Sequence, residues 1–123
     1  MFDAHFILLH VESPADSARF YEDLLGMPPL EQSPTFAMFA LPSGTRLGLW
    51  SRDTVEPAAT AKGGAAEIAM VVPSAGAVDA AHADWRSRGV AILQEPADLD
   101  FGRTFTAADP DGHRLRVFCP LER

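Results

Sequence analysis

The chain predicts an α+β fold in which two tandem βαβββ modules form a curved mixed sheet with a helix on each outer face. Three observations predict it. First, Ala40-Leu41-Pro42-Ser43-Gly44-Thr45-Arg46-Leu47-Gly48-Leu49-Trp50 repeats the spacing of Ala108-Asp109-Pro110-Asp111-Gly112-His113-Arg114-Leu115-Arg116-Val117-Phe118, with Ala, Pro, Gly, Arg and Leu in register. An internal repeat this long signals two copies of one supersecondary unit. Second, each copy is preceded by an apolar run and a capped helical segment that a glycine stops, Gly26 in one and Gly89 in the other. Third, each copy contains two short apolar runs joined by a Pro-x-Gly turn, the sign of a β-hairpin.

The first module spans about 4–50. Ala4 to Val11 reads as a buried strand. Ser13 is placed to cap a helix, Pro14 suits its first position, Asp16 favours the positive end of its dipole, and Ala18, Tyr21, Leu24 and Leu25 follow at helical spacing. Met27-Pro28-Pro29 forbids continuation, and strands are expected at Leu30–Gln32, Phe36–Leu41 and Thr45–Trp50. Residues 51–66, polar and rich in Ala and Gly without period, read as a linker. The second module, about 67–119, repeats the order. It has a strand over Glu67–Val72, a helix entered at Pro73-Ser74 with Val78, Ala81, His82 and Trp85 on one side, a strand over Val90–Gln94, a polar loop over Pro96–Asp100, and the closing hairpin.

At 123 residues the two modules make a single domain, one that buries roughly two-thirds of its unfolded surface only if they share a core. Hydrophobic content of 47% and charged content of 22% are ordinary for a soluble protein, and no segment approaches the ~18 uninterrupted apolar residues of a membrane span. The net charge of -7, with ten scattered basic residues, argues against nucleic acid as a partner. Asp3, and no basic residue, precedes the run Phe6-Ile7-Leu8-Leu9, so no secretory signal is read there and a cytoplasmic protein is expected. The single cysteine, Cys119, reads as a packing residue.

Phe20-Tyr21-Glu22-Asp23-Leu24-Leu25-Gly26 at the end of the first helix, and Phe-x-x-x-Asp-Pro-Asp-Gly-x-x-Leu-x-Val from Phe105 to Val117, resemble the vicinal oxygen chelate superfamily over nearly the whole chain. That group includes glyoxalase I, extradiol dioxygenases and the fosfomycin- and bleomycin-resistance proteins. In its catalytic members four side chains hold a divalent metal, one from the first and one from the last strand of each module. Here the resemblance puts Phe6, Gly48, Glu67 and Arg116 at those positions, with His5 one step off and on the opposite side of its strand. Phenylalanine and glycine donate nothing and a guanidinium repels a cation, so loss of metal catalysis, with no cofactor, is expected. Glu67 and Arg116 are expected to pair.

The closing run and Trp50 are similar to the non-enzymatic drug-binding branch, above all phenazine-resistance proteins, which implies a homodimer that sequesters a flat aromatic small molecule. Trp50 is the foremost stacking candidate; it and Phe118 also read as core residues. Phe6 and His10 share a strand face, and His10 reads either as a hydrogen-bonding group for a ligand or as a satisfied strand-end histidine. Phe36, Met38 and Phe105 are expected to line the same concavity. Glu67 and Arg116 either brace the sheet or bind a ligand carboxylate, and Arg103 either touches ligand or carries surface charge. His82 reads as structural and His113 as exposed. Two other readings stand beside this one. One is a metal-dependent lyase or dioxygenase built on His5, Glu67 and a third group; the other is an accessory domain that contacts another protein.

Overall fold

The computed structural model describes residues 1–121, which divide into two compact units that meet between Ala61 and Lys62. The first holds β1 (Phe6–Val11), α1 (Pro14–Leu25), β2 (Glu31–Gln32), β3 (Phe36–Ala40) and β4 (Arg46–Ser51). Its sheet has the order β1-β4-β3-β2, with β1 parallel to β4 and the other pairs antiparallel. The second holds β5 (Glu67–Val71), α2 (Ala75–Ser87), β6 (Ala91–Leu99), β7 (Gly102–Ala108) and β8 (Arg114–Pro120), with the same topology in the order β5-β8-β7-β6. The fold is thus α+β, with two mixed four-stranded sheets and a helix for each.

Local chemistry sets both helices. Ser13 Oγ accepts the Asp16 amide at 3.1 Å, Pro14 opens α1, and the Gly26 amide donates to Glu22 O at 3.0 Å. Ser74 Oγ accepts the Ala77 amide at 3.0 Å at the start of α2. In the first unit Pro14, Ser17, Ala18 and Tyr21 form the buried stripe of α1, which packs on β3 and β4. They meet Val11, Ala37, Phe39, Leu47 and Leu49, with the Tyr21 and Phe39 rings 6.5 Å apart. In the second, Val78 and Trp85 of α2 pack among Phe105, Ala107, Leu115 and Val117. Because strand side chains alternate faces, each sheet has one face under its helix and one turned away from it.

Some boundaries differ from expectation. Strand β1 begins at Phe6 rather than Ala4, and β6 continues through Pro96 to Leu99 instead of yielding to a loop. Proline is tolerated there because β6 is an edge strand whose register shifts between Ile92 and Gln94 and again between Gln94 and Ala97. The segment read as a linker is anchored at both ends. Val55 is 6% exposed and its amide donates to Ser51 O at 3.0 Å, while Gly63 lies so close to His113 that a Cβ there would be 2.7 Å from Nδ1. His113 is accordingly half-buried, not exposed. Among the described residues no helix is long and apolar enough to cross a membrane.

Candidate ligand-binding site

The first unit turns an apolar face away from α1. Register places Leu8 beside Gly48 and Gly48 beside Met38, with the row His10, Trp50, Phe36 next to it. Phe6, Leu8, Phe36 and Trp50 line an open cleft of about 470 Å³ on this face. Phe6 and Leu8 are 50% and 46% exposed although both are large and apolar, whereas Met38 is buried and His10 half-buried. Gly48 makes the floor: a Cβ there would come within 2.7 Å of Leu8 Cδ2 and 3.0 Å of Phe36 Cζ. The missing side chain lets those two groups close over the backbone and form a continuous apolar surface.

The second unit's corresponding face is polar at its centre. Arg116 donates through Nε to Glu67 Oε1 at 2.7 Å, through Nη2 to Oε2 at 3.0 Å, and through Nη1 to Thr104 Oγ1 at 3.1 Å. The expected Glu67–Arg116 pair therefore forms, as a bidentate fork. Arg114 Nε also lies 3.1 Å from Glu67 Oε2. The hydrogen bonds from Arg116 hold the Glu67 carboxyl below its ordinary 4.5, against an opposing push from burial and with further help from the charges of Arg116 and Arg114; Arg116 is raised by the same contacts. Phe118, on the same strand face, meets Phe101 edge-on at 5.7 Å, and the Arg116 guanidinium carbon is 5.8 Å from the Phe101 ring centre. Phe101 was not legible as a site residue, since it sits in a turn between Asp100 and Gly102 with no periodicity to place it.

A carboxylate with a lowered pKa adds stability that is complete above its unfolded value and is lost as pH falls through the folded value. Acidification below about pH 5 should therefore lower the melting temperature of the native protein more steeply than that of Glu67→Gln. Arg116→Ala leaves a partly buried carboxylate short of its main partner and should cost about 1–3 kcal/mol at neutral pH in denaturant titrations.

Two expected site residues lie elsewhere. Phe105 is fully buried under α2, with its ring edge-on to Trp85 at 5.3 Å and to His82 at 5.4 Å, because it stands opposite Val117 on the helix-facing side of the sheet. Arg103 shares that side. It bonds to Asp79 of α2 at 2.8 Å and to Asp98 of β6 at 3.1 Å, a clasp between helix and edge strand. His82, half-buried against Phe105, has its Nε2 2.6 Å from Glu95 Oε2, in keeping with a structural residue.

The residues do not fit a divalent metal. Phe6 and Gly48 offer no donor, and a longer side chain at 48 would have to displace Leu8 and Phe36. Both Glu67 oxygens are taken by Arg116. His5 lies outside β1, largely exposed, near Asp3. Among the described residues no group of three or more His, Cys, Asp or Glu is placed to hold an ion.

Comparison with known proteins places the chain in a family. Over 118 residues the chain is 31% identical to the phenazine antibiotic resistance protein EhpR of Enterobacter agglomerans, covering 94% of this chain and 89% of that protein. It is 51% identical to protein ATC0852 of Agrobacterium tumefaciens, whose solution NMR structure matches with a TM-score of 0.91 over 99% of this chain and 100% of that one. A glyoxalase/bleomycin resistance protein/dioxygenase from Nocardioides, 27% identical, matches at 0.83 over 99% of this chain and 85% of its own. The sequence profile of the Glyoxalase/Bleomycin resistance protein/Dioxygenase superfamily matches residues 4–117. The chain belongs to that superfamily.

Proposed function

We propose that this protein binds and sequesters a flat aromatic antibiotic of the phenazine or bleomycin type, without metal or catalysis, and so confers resistance. The observation that carries the reading is the apolar cleft of the first unit, where the Trp50, Phe36 and Phe6 side chains surround a floor opened by Gly48. Rigid aromatic side chains bind a planar ligand at small entropic cost, and this cleft holds no group suited to acid–base or nucleophilic work beyond His10 at its margin. The 31% identity to a phenazine antibiotic resistance protein supports the same ligand class. In this proposal Trp50, Phe6, Phe36 and Met38 supply the contact surface, His10 a hydrogen bond, and Glu67, Arg116 and Phe118 a second, polar surface. The chain acts as one cytoplasmic domain in a homodimer.

Titration with phenazines and bleomycins, followed by tryptophan fluorescence, tests the ligand class. Trp85 is buried on the sheet-facing side of α2 against Phe105, so a saturable change should come from Trp50 and vanish in Trp50→Phe. No saturable change with any of these compounds would overturn the proposal. Sedimentation equilibrium tests the dimer, and a monomer at all concentrations would remove that part.

A further inference from the structure

We infer that the polar face of the second unit selects a planar aromatic monocarboxylate, and that Arg114 meets its charge. This rests on the reading that the protein binds flat aromatic molecules, and it states which of them are preferred.

The charges on this face do not balance. Glu67 pairs with both Arg116 and Arg114, and among the described residues no other carboxylate pairs with either guanidinium. Two positive charges against one negative leave one uncompensated, on a chain whose net charge is -7. The surplus is localised by geometry. Arg116 spends Nε and Nη2 on Glu67 and Nη1 on Thr104, so its hydrogen-bonding edge is committed and its flat faces remain, one of them toward Phe101. Arg114 Nε lies 3.1 Å from Glu67 Oε2 without an aligned hydrogen bond, and the side chain is 38% exposed. In this inference its terminal amino groups supply the bidentate donor pair that a carboxylate fits.

The rest of the face suits the ring system. Arg114, Arg116 and Phe118 project from the same side of β8 at steps of about 6.6 Å, so an aromatic edge, a guanidinium plane and a partly exposed cation follow one another in a row. A fused-ring acid laid along this row stacks on Arg116, meets the Phe101 and Phe118 rings, and ends its carboxylate at Arg114. Glu67 has a second role here: it repels an acid placed centrally and so directs the carboxylate outward to Arg114.

The test uses the full chain with a phenazine monocarboxylate and the matching carboxamide, compounds of nearly equal shape that differ in charge, by isothermal titration. The acid should bind about tenfold more tightly than the amide. Arg114→Gln should abolish that preference and leave amide affinity within about twofold, while Arg114→Lys retains part of it. Equal affinity for acid and amide in the native protein overturns the inference and leaves aromatic binding standing. Loss of amide binding in Arg114→Gln makes Arg114 a packing residue and also overturns it. Binding of neither compound overturns both this inference and the reading on which it rests.

Discussion

Gly102→Ala is expected to destabilise the protein by about 3–5 kcal/mol, a large share of the roughly 5–15 kcal/mol that a domain of this size has. Gly102 has φ +141, a conformation that residues with a side chain rarely adopt, and a Cβ there would lie 2.0 Å from Cys119 O. That oxygen is backbone of β8, directly across the ladder where Gly102 pairs with Pro120, so it cannot swing aside. Relief requires β7 and β8 to part, which would also move Phe101 away from Phe118 and Arg116. Gly48→Ala is the instructive contrast. Its contacts are the ends of the Leu8 and Phe36 side chains, which can yield, so it should cost no more than about 1–2 kcal/mol while narrowing the cleft. Urea denaturation of the two variants side by side measures the difference; comparable losses would mean that the β7–β8 approach is not the constraint described.

Trp50→Ala should weaken aromatic ligand binding by about 10- to 100-fold with little change in stability. Trp50 is half-buried, lines the cleft and lies between Phe36 and His10 in register, so truncation removes the largest stacking surface of the first unit and leaves the α1 core intact. Binding isotherms paired with melting curves separate the two effects. A large drop in melting temperature with unchanged affinity would make Trp50 a core residue, the role in which it also reads from sequence.

The repeat around Pro42 and Pro110 was legible because the two turns are built by the same bonds. Gly44 N donates to Leu41 O at 2.9 Å and Leu41 N to Thr45 O at 3.0 Å, as Gly112 N donates to Asp109 O at 3.0 Å and Asp109 N to His113 O at 2.9 Å. The same bonds explain why Phe105 was misplaced. A turn closed with Asp109 opposite Gly112 would set Phe105 across from Arg116, on the polar face. Instead Gly112, at φ +85, is an extra residue, Asp109 stands opposite His113, and the register advances by one. Thr106 then faces Arg116 and Phe105 faces Val117, which sends the ring under α2. Parity of one residue, decided by turn geometry, is not written in hydrophobic pattern.

Glu67 and Arg116 were legible because both stand where the family brings two side chains together, so their opposite charges implied the pair now seen. Arg103 was not, because its partners Asp79 and Asp98 lie on a helix and an edge strand whose approach is a tertiary fact. Phe101 and Arg114 were missed for a related reason. The first is brought over the sheet by the close β7–β8 approach at Gly102, and the second gains meaning only from the count of charges around Glu67.

In the proposed function the protein binds its ligand without metal and without chemistry. Isothermal titration of the EDTA-treated protein with a phenazine, followed by recovery and mass analysis of the ligand, tests it most directly. Saturable binding unchanged by EDTA, with the phenazine recovered intact, is the predicted result. Binding that disappears with EDTA and returns with a divalent ion, or a ligand recovered chemically altered, would contradict it.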